Sequence, residues 1–457
     1  MACNNSACQS GCYKYNDEDE SQYQNQYVAS NGKPPPLICV KCKVSEAVAG
    51  GSGGGDDGRF CGECFRGSLF GKFRFAVTSE GMISATDKVL VAFSGGAASR
   101  VALQFVHDMQ YKAQKNFDAS KDKLLPVFGV GVAFVDESSF RMDSVDQITY
   151  AIKQIKSIVS YLSPPEKALH VVPIEGIYSS NINDGRERLK KLLEAVSDDT
   201  GKEDLLLHMR MLALQKAAKE NGYSKLVTGS CTSRIACHVI SETVKGRGYS
   251  LPADIQYVDA RWNVPVLLPL RDCLGQELSA LCHRDGLKTV EIVKTPSFGI
   301  NALVSSFVSL LQEENPSRES TIMRTAGKLT PFDFNKPPED DDPSSRLATN
   351  RRQRKFNLKP DESTLPESFC SLCNSPLNKS NVQSSCGSAD GDPSDKIAGD
   401  CCSSCRFQIL PHDPLALEHF YSLLPDPMVS QVDVESTSSH KLLRSQIQDF
   451  LLSDYED

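Results

Sequence analysis

Eight cysteines of this 457-residue chain form four Cys-x-x-Cys pairs, a spacing typical of metal-binding sites. Eighteen residues separate the first two pairs and 28 separate the last two. Zn²⁺ prefers four tetrahedral ligands, and two such pairs supply four thiolates to one ion. The spacing therefore predicts two structural zinc sites, although the residues alone also allow unrelated buried thiols. The predicted ligands are Cys39, Cys42, Cys61 and Cys64 in one site and Cys370, Cys373, Cys402 and Cys405 in the other.

The remaining composition indicates the compartment in which these cysteines work. The chain has 17 cysteines, and its first twenty residues lack the apolar core of a signal peptide. No apolar run reaches the length of about 18 residues that a membrane span needs. We therefore expect a cytosolic protein, in which disulfides are rare and metal binding is the better explanation for paired cysteines. Cys3, Cys8 and Cys12 could form a further site, but no fourth ligand is nearby.

A second candidate site lies in the stretch KVLVAFSGGAAS. Residues 89–93 form a continuous apolar run, which suits a strand buried on both faces. A Ser-Gly-Gly turn follows, and then a helical pattern begins. This geometry directs backbone N–H groups and a helix N-terminus at an anion, so we predict a phosphate-binding loop. Its residues would be Ser94, Gly95, Gly96 and Ser99, although the glycines could instead serve the turn alone.

The sequence around this loop alternates between predicted strands and helices. This alternation predicts an α/β fold with a parallel sheet covered on both faces. Ligands of such sheets bind beyond the carboxyl ends of the strands, where residues 94–99, 135–137 and 228–234 would converge. The helix predicted over 301–314 is expected to pack in the core through Leu303, Phe307, Leu310 and Leu311. Strands are predicted at 89–93, 126–135, 168–173, 225–228 and 264–269, and helices at 98–110, 143–162, 202–221, 232–244 and 301–314.

Several other features allow two interpretations each. Cys231 and Cys237 could carry sulfur or could be small apolar residues of a buried helix. The basic and aromatic stretch 65–75 could contact RNA, but a helix that packs its phenylalanines inward is the simpler prediction. The basic run 351–355 could contact tRNA phosphates or lie in a solvated linker. The net charge of −8 argues against a generally basic nucleic-acid-binding surface.

The Ser-Gly-Gly stretch resembles the pyrophosphate-binding loop of the ATP pyrophosphatases, Ser-Gly-Gly-x-Asp-Ser. Ser94, Gly95, Gly96 and Ser99 match that pattern, whereas Ala98 stands where the family has Asp. The tRNA-thiolating members also have a Gly-His-Asn-x-x-Asp motif. Here residues 229–234 read Gly-Ser-Cys-Thr-Ser-Arg, without acidic residues. The resemblance implies an ATP-pyrophosphatase-like (Rossmann-like) fold whose nucleotide site is degenerate.

The layout, a pyrophosphatase-like domain between two cysteine modules, resembles the cytosolic tRNA thiolation proteins. The pieces CVKCK, FCGECF, KVLVAFSGGAAS, GVAFVDE and GRG resemble the cytoplasmic tRNA 2-thiolation protein 2 family, over about residues 37–452. The resemblance implies a heterodimer with the thiolation protein 1 subunit, an intact pyrophosphatase. The complex would use ATP to place sulfur on the wobble uridine of tRNA. A ubiquitin-related modifier would deliver that sulfur as a thiocarboxylate.

These features predict that the chain has five parts. They also predict that it is itself the partner subunit of the complex and has no catalytic residues of its own. Two alternatives stay open, namely an active pyrophosphatase that uses Asp136 and Glu137 as substitute carboxylates, and a zinc-bearing scaffold without tRNA contact. A short amphipathic helix is predicted over 441–452. The predicted parts are a disordered tail at 1–36, a zinc module at 37–83, the pyrophosphatase-like domain at 84–330, a linker at 331–366, and a second zinc module with a disordered insert at 367–457.

Overall fold

The centre of the structure is a twisted sheet whose strands run mostly in one direction. The computed structural model describes residues 38–47, 60–120, 126–140, 145–178, 182–290, 298–315, 317–329, 369–377 and 401–428. The predicted tail 1–36, linker 331–366 and helix 441–452 lie outside these residues. The strands are β1 (Lys88–Ala92), β2 (Gly129–Asp136), β3 (Ala168–Pro173), β4 (Lys225–Val227), β5 (Val258–Asp259) and β6 (Val266–Leu267).

Helices precede, separate and follow these strands. Several of them begin after a residue with extended backbone, as at Asp198, whose carboxylate accepts a hydrogen bond from Gly201 N at 2.7 Å. The helices are α1 (Gly62–Ser79), α2 (Ala97–Ala119), α3 (Val145–Tyr161), α4 (Ile182–Ala195), α5 (Asp199–Glu220), α6 (Thr232–Val244), α7 (Leu251–Asp254), α8 (Gly275–Arg284), α9 (Ile300–Glu314), α10 (Ser317–Ala326), α11 (Ser403–Gln408) and α12 (Pro414–Leu423). Within the described part of the chain, no helix is both long and apolar enough to cross a membrane.

The strand order is β3-β2-β1-β4-β6-β5, and every pairing is parallel except that of β5 with β6. The predicted α/β class with a mostly parallel sheet is therefore confirmed. Strands β2 and β3 lie on one side of β1 and strands β4 to β6 lie on the other, so the order reverses between β1 and β4. A crevice beyond the carboxyl ends at such a reversal is where parallel sheets bind ligands. The edge strand β5 was not predicted, because its two residues, Val258 and Asp259, do not form an apolar run.

The apolar run of β1 is buried on both faces, as predicted. Val89 and Val91 contact the core on the side of α1 and α2, which includes Phe73 and Phe105. Leu90 points to the other side and belongs to the core that includes Leu226. All three β1 residues are fully buried. The strand therefore fixes the position of the Ser-Gly-Gly turn that follows it.

Helix α9 forms where a helix was predicted, but the expected core face was wrong. Val304 and Val308 are buried and pack against Ala236 of α6. Leu303 is 71% exposed and Phe307 is 50% exposed. Apolar residues lie on two faces of this helix, so their spacing does not decide which face is buried. Leu310 is likewise exposed rather than in the core.

The C-terminal cysteine segments share a hydrophobic core with the α/β part of the chain. Leu372 and Ile409 belong to one buried cluster with Leu189 of α4 and Met209 of α5. The backbone of α5 also touches that of α11, because a Cβ at Gly201 would lie 2.2 Å from the carbonyl oxygen of Gln408. The domain boundaries predicted at residues 83 and 367 stay predictions. The hydrophobic core is shared by residues on both sides of the boundary at 367.

Candidate metal centres and the sheet edge

The eight predicted ligands lie in two groups of four. In each group the Sγ atoms lie within 4.8 Å of one another. Cys42 Sγ lies 3.8 Å from Cys61 Sγ, and Cys373 Sγ lies 3.7 Å from Cys402 Sγ. Four thiolates at about 2.3 Å from a central ion are separated by about 3.8 Å, whereas a disulfide needs about 2.05 Å. The geometry therefore fits one tetrahedral ion per group.

The first pair of each group is held by the same turn. Lys43 and Asn374 follow the second cysteine of their pairs, and both have a φ of 57°. Lys43 N donates to Cys39 O at 2.8 Å, and Asn374 N donates to Cys370 O at 2.8 Å. Such a turn leaves both sulfurs of a pair on one side of the backbone. The first Cys-x-x-Cys pair of each group therefore adopts the same turn.

The second pair of each group lies at a helix N-terminus. Cys61 is the residue that precedes α1, and Cys402 precedes α11. Cys402 N donates to Cys370 Sγ at 3.3 Å, and Cys405 N donates to Cys402 Sγ at 3.4 Å. The positive end of a helix and backbone N–H groups both favour thiolates over thiols. The local backbone therefore supports negatively charged sulfur in the C-terminal group.

A fifth cysteine, Cys401, lies beside the C-terminal group. Cys401 is fully buried, and its Sγ lies 3.5 Å from Ser371 Oγ. Cys401 is outside the group of four predicted ligands. Cys386 and the cysteines of the first twelve residues lie outside the described residues.

The basic and aromatic stretch after the first cysteine module is packed and paired. Phe65 and Phe73 are buried in the core beside the sheet. Arg66 forms ion pairs with both Asp108 and Asp285 at 2.6 Å. Its charge is therefore balanced within the protein, and the geometry favours helix packing over RNA contact for this stretch.

The Ser-Gly-Gly turn uses its two glycines differently. Gly95 has a φ of +87°, and a Cβ there would lie 2.6 Å from Val290 O. Val290 N also donates to Gly95 O at 2.9 Å, so the segment before residue 291 closes over the turn. At Gly96, by contrast, the nearest atom to a Cβ is 4.0 Å away. The turn therefore needs glycine at position 95 but not at position 96.

The serine hydroxyls of this loop bond within the loop. Ser99 Oγ donates to Gly96 O at 2.9 Å, and Ser94 Oγ donates to Ser99 Oγ at 3.2 Å. Ser99 is buried, whereas Ser94 and Gly96 are exposed. The structure thus uses the predicted donors to brace the turn, and it leaves Gly96 open to solvent.

Two of the three segments predicted to converge at the sheet edge are in direct contact. A Cβ at Gly229 would lie 2.7 Å from Ser99 N and 3.0 Å from the carbonyl carbon of Ala98. The loop after β4 is therefore pressed against the start of α2. Glycine at 229 is required by this approach, since any side chain would push the two loops apart.

The carboxylates after β2 already have partners. Asp136 Oδ1 accepts a hydrogen bond from Ser138 N at 2.9 Å. Glu137 Oε2 accepts one from Arg210 Nη2 at 3.2 Å, and Arg210 Nε contacts the other oxygen. An ion-paired carboxylate is a poor substitute for a metal-binding Asp on the loop.

Of the two cysteines near the β4 loop, Cys231 is buried and Cys237 is half-buried. Cys231 is 4% exposed and belongs to the main core. Burial raises the pKa of the Cys237 thiol to about 11. A thiol with so high a pKa is protonated at neutral pH and is a weak nucleophile. These properties favour the apolar-residue interpretation over sulfur transfer.

Two histidines, the buried His208 and the half-buried His238, have opposite environments. Burial lowers the pKa of His208, which packs against the Trp262 ring at 5.5 Å, to about 4. Burial also opposes the charge of His238, but its hydrogen bond to Asp254 at 2.9 Å raises its pKa above the usual range. His238 is therefore held by its contact with Asp254.

A buried cluster of four charged residues was not predicted. Lys245 Nζ lies 2.9 Å from both carboxylate oxygens of Asp204 and 2.8 Å from Glu242 Oε1. Arg247 Nη2 donates to Glu242 Oε1 at 3.1 Å and contacts Asp204. Because the members come from α5 and from the end of α6, no local spacing in the sequence could have indicated them.

Comparison with known proteins identifies the family. The family model for cytoplasmic tRNA 2-thiolation protein 2 matches residues 299–397. Cytoplasmic tRNA 2-thiolation protein 2 of Arabidopsis thaliana is 58% identical over 457 residues, which covers 100% of both chains. The chain belongs to the cytoplasmic tRNA 2-thiolation protein 2 family.

More distant relatives are also similar. The Homo sapiens member of the family is 26% identical over 65% of this chain and 69% of its own length. Among solved structures, the U34-tRNA thiolase NcsA from Methanococcus maripaludis, with its [4Fe-4S] cluster, is 18% identical with a TM-score of 0.47. That alignment covers 63% of this chain and 86% of NcsA.

Proposed function

We propose that this chain is the non-adenylating subunit of the complex that 2-thiolates the wobble uridine of cytosolic tRNAs. Membership in the family supports the reaction. The observation that supports the subunit role is chemical: the two loops that meet at the sheet edge carry no acidic side chain. Ala98 replaces the loop Asp, and residues 228–234 contain none.

The reaction explains why the missing acids matter. Thiolation must turn the C2 oxygen of uridine into a leaving group, which adenylation by ATP achieves with release of pyrophosphate. A hard divalent cation held by carboxylates offsets the phosphate charge in such steps. With Ala98 in the loop and Glu137 paired to Arg210, this chain has no suitable ligand set in those segments. We therefore propose that the residual loop shapes the turn between β1 and α2 and does not catalyse. The loop residues are Ser94, Gly95, Gly96 and Ser99.

The missing chemistry requires a partner with an intact loop. We assign that role to the thiolation protein 1 subunit, as a heterodimer in the cytoplasm. The complex would use ATP, and a thiocarboxylated ubiquitin-related modifier would supply the sulfur. This chain would support assembly of the complex and binding of tRNA.

The two cysteine groups are proposed to bind one zinc ion each. Four thiolates close the coordination sphere of zinc, so such sites are structural rather than catalytic. The sulfur separations and the helix N-termini fit this role. Zinc would fix the two turns against the α/β core, and Cys39, Cys42, Cys61 and Cys64 would hold one ion while Cys370, Cys373, Cys402 and Cys405 hold the other.

Release of pyrophosphate tests the subunit role against the active-enzyme alternative. The isolated chain is incubated with ATP labelled in its terminal phosphates and with substrate tRNA. We expect no pyrophosphate above background, and release that Glu137→Gln abolishes would establish the alternative. Crosslinking of tRNA to the complex, with and without this subunit, tests the scaffold alternative. Equal crosslinking in both cases would show that the chain does not contribute to tRNA binding.

A further inference from the structure

Arg247 extends from the α/β part of the chain to the C-terminal cysteine group. It follows Gly246, which has a φ of +76° and ends α6. Its Nη1 lies 3.8 Å from Cys405 Sγ, within the range of an N–H donor to sulfur. The arginine side chain is 5% exposed and Cys405 is fully buried. A buried cation thus donates a hydrogen bond to a predicted metal ligand 158 positions away in sequence.

The other side of this guanidinium belongs to the buried charge cluster. Asp204 and Glu242 supply two negative charges, and Lys245 and Arg247 supply two positive charges. Asn301 Nδ2 adds a further hydrogen bond to Asp204 Oδ1 at 3.0 Å. The cluster is therefore balanced by itself. Loss of either cation would leave a carboxylate buried without compensation, which is strongly unfavourable.

A metal ion bound to the C-terminal cysteine group would place a further negative charge next to this cluster. A divalent ion with four thiolates has a net charge of −2, and here it would be buried. Hydrogen bonds from outside the ligand set stabilise such thiolates and orient them, and a charged donor is stronger than a neutral one. Arg247 is such a donor, since one of its nitrogens points to sulfur while another bonds the carboxylates.

The N-terminal group offers an internal contrast. Among the described residues, no arginine or lysine side chain donates to the sulfur of Cys39, Cys42, Cys61 or Cys64 in this structure. That group is also less buried, with Cys42 and Cys64 partly accessible to solvent. Water can screen its charge, whereas the C-terminal group depends on protein donors.

The geometry points to Arg247 as a positioning residue of the C-terminal metal centre. Its guanidinium holds Cys405 Sγ, offsets the charge of the four thiolates and links metal retention to the Asp204–Lys245 ion pair. This inference rests on the metal binding proposed above. It adds a specific residue of the α/β core on which the stability of that centre depends.

Arg261 provides a matched control. Its side chain is also 5% exposed and is paired with Asp259 at 2.7 Å. It also reaches the C-terminal module, where Nη1 donates to the carbonyl oxygen of Asn374 at 3.3 Å. It contacts a backbone carbonyl rather than sulfur. Arg261→Gln therefore removes a buried, ion-paired arginine that contacts the same module, but it removes no hydrogen bond to a thiolate.

The test follows zinc release from the full-length protein with a chromogenic chelator. The wild type is expected to release two ions in two phases, and Cys405→Ser identifies the C-terminal phase by removing it. In Arg247→Gln, that phase should become about 10- to 100-fold faster, while the other phase stays unchanged. Arg247→Lys should restore part of the rate, because it keeps the charge. Arg261→Gln should retain the wild-type rates.

Cobalt substitution gives a second readout. Without the N–H donor, charge density on Cys405 sulfur rises, and the thiolate-to-cobalt charge-transfer band should move to lower energy in Arg247→Gln alone. Equal acceleration in both arginine variants, or an unchanged C-terminal phase in Arg247→Gln, would overturn the inference. If Arg247→Gln does not fold, Arg247→Lys tests the inference instead: its C-terminal phase should be faster than that of the wild type by a smaller factor, and an unchanged phase would overturn the inference. If the Cys405→Ser variant contained as much zinc as the wild type, the proposed metal binding itself would be refuted.

Discussion

Substitution of the first loop glycine should destabilise the protein, whereas substitution of the second should not. An alanine at Gly95 must adopt a φ near +87°, and its Cβ would meet Val290 O at 2.6 Å. The left-handed backbone costs about 1–2 kcal/mol for an L-residue, and relief of the contact adds to that cost. We expect a loss of about 2–3 kcal/mol in unfolding free energy. For a domain of this size that is roughly 4–10 °C in Tm.

Gly96→Ala is the matched control for this experiment. Its Cβ meets no atom closer than 4.0 Å, so the cost is the replacement of glycine before a helix, below about 1 kcal/mol. Thermal unfolding followed by circular dichroism compares the two variants with the wild type. Equal Tm values for Gly95→Ala and the wild type would refute the interpretation that the turn requires this glycine.

The same two variants separate the turn from phosphate binding. Gly96 is exposed beside the N-terminus of α2, where an anion would approach. If the glycines serve only the turn, Gly96→Ala leaves tRNA binding by the complex unchanged at every salt concentration. A weaker affinity with a shallower salt dependence, at unchanged Tm, would show that the loop still binds phosphate.

Three further predictions follow from the buried residues. Because the folded protein resists protonation of His208, whose pKa is about 4, stability should fall by about 1 kcal/mol between pH 7.5 and pH 5.5 on its account. Urea unfolding of His208→Gln should show a fall smaller by that amount. Val308→Ser should lower unfolding free energy by about 1–3 kcal/mol, whereas Phe307→Ser should have little effect. Cys61→Ser should reduce bound zinc from two ions to one by elemental analysis and lower Tm, since metal binding contributes to folding.

Each of these predictions has an outcome that contradicts it. An identical pH dependence in the wild type and His208→Gln would mean that this histidine titrates normally in the folded state. Equal effects of Phe307→Ser and Val308→Ser would reject the observed orientation of α9. Iron at stoichiometric level, or no metal at all, would reject the zinc sites.

The sequence predicted well those features that depend on local chemistry. The bounds of β3 and α6 agree with the predicted 168–173 and 232–244, because proline, glycine and polar residues end the apolar patterns there. Cysteine spacing alone brought eight residues into two groups, since each Cys-x-x-Cys pair forms its own turn. The phosphate-loop assignment itself stays a prediction, although the structure explains why Gly95 is required.

Features that depend on tertiary packing could not be predicted in the same way. The face of α9 was assigned wrongly because apolar residues occur on two sides of the helix, and only its contacts with α6 decide between them. Arg247 and Asp204 are 43 positions apart, and Arg247 and Cys405 are 158 apart. Charged residues are usually predicted to be exposed, so nothing in the sequence indicated that these would be buried together.

We propose that this chain supports thiolation of tRNA without catalysing the adenylation step. The most direct measurement is a thiolation assay with substrate tRNA, ATP and the thiocarboxylated modifier. It is carried out with this chain alone, with the thiolation protein 1 subunit alone, and with both. We predict thiolated tRNA in quantity only when both are present, and no product from this chain alone or from its Ala98→Asp variant. Thiolated or adenylated tRNA formed by either isolated form of this chain would contradict the account.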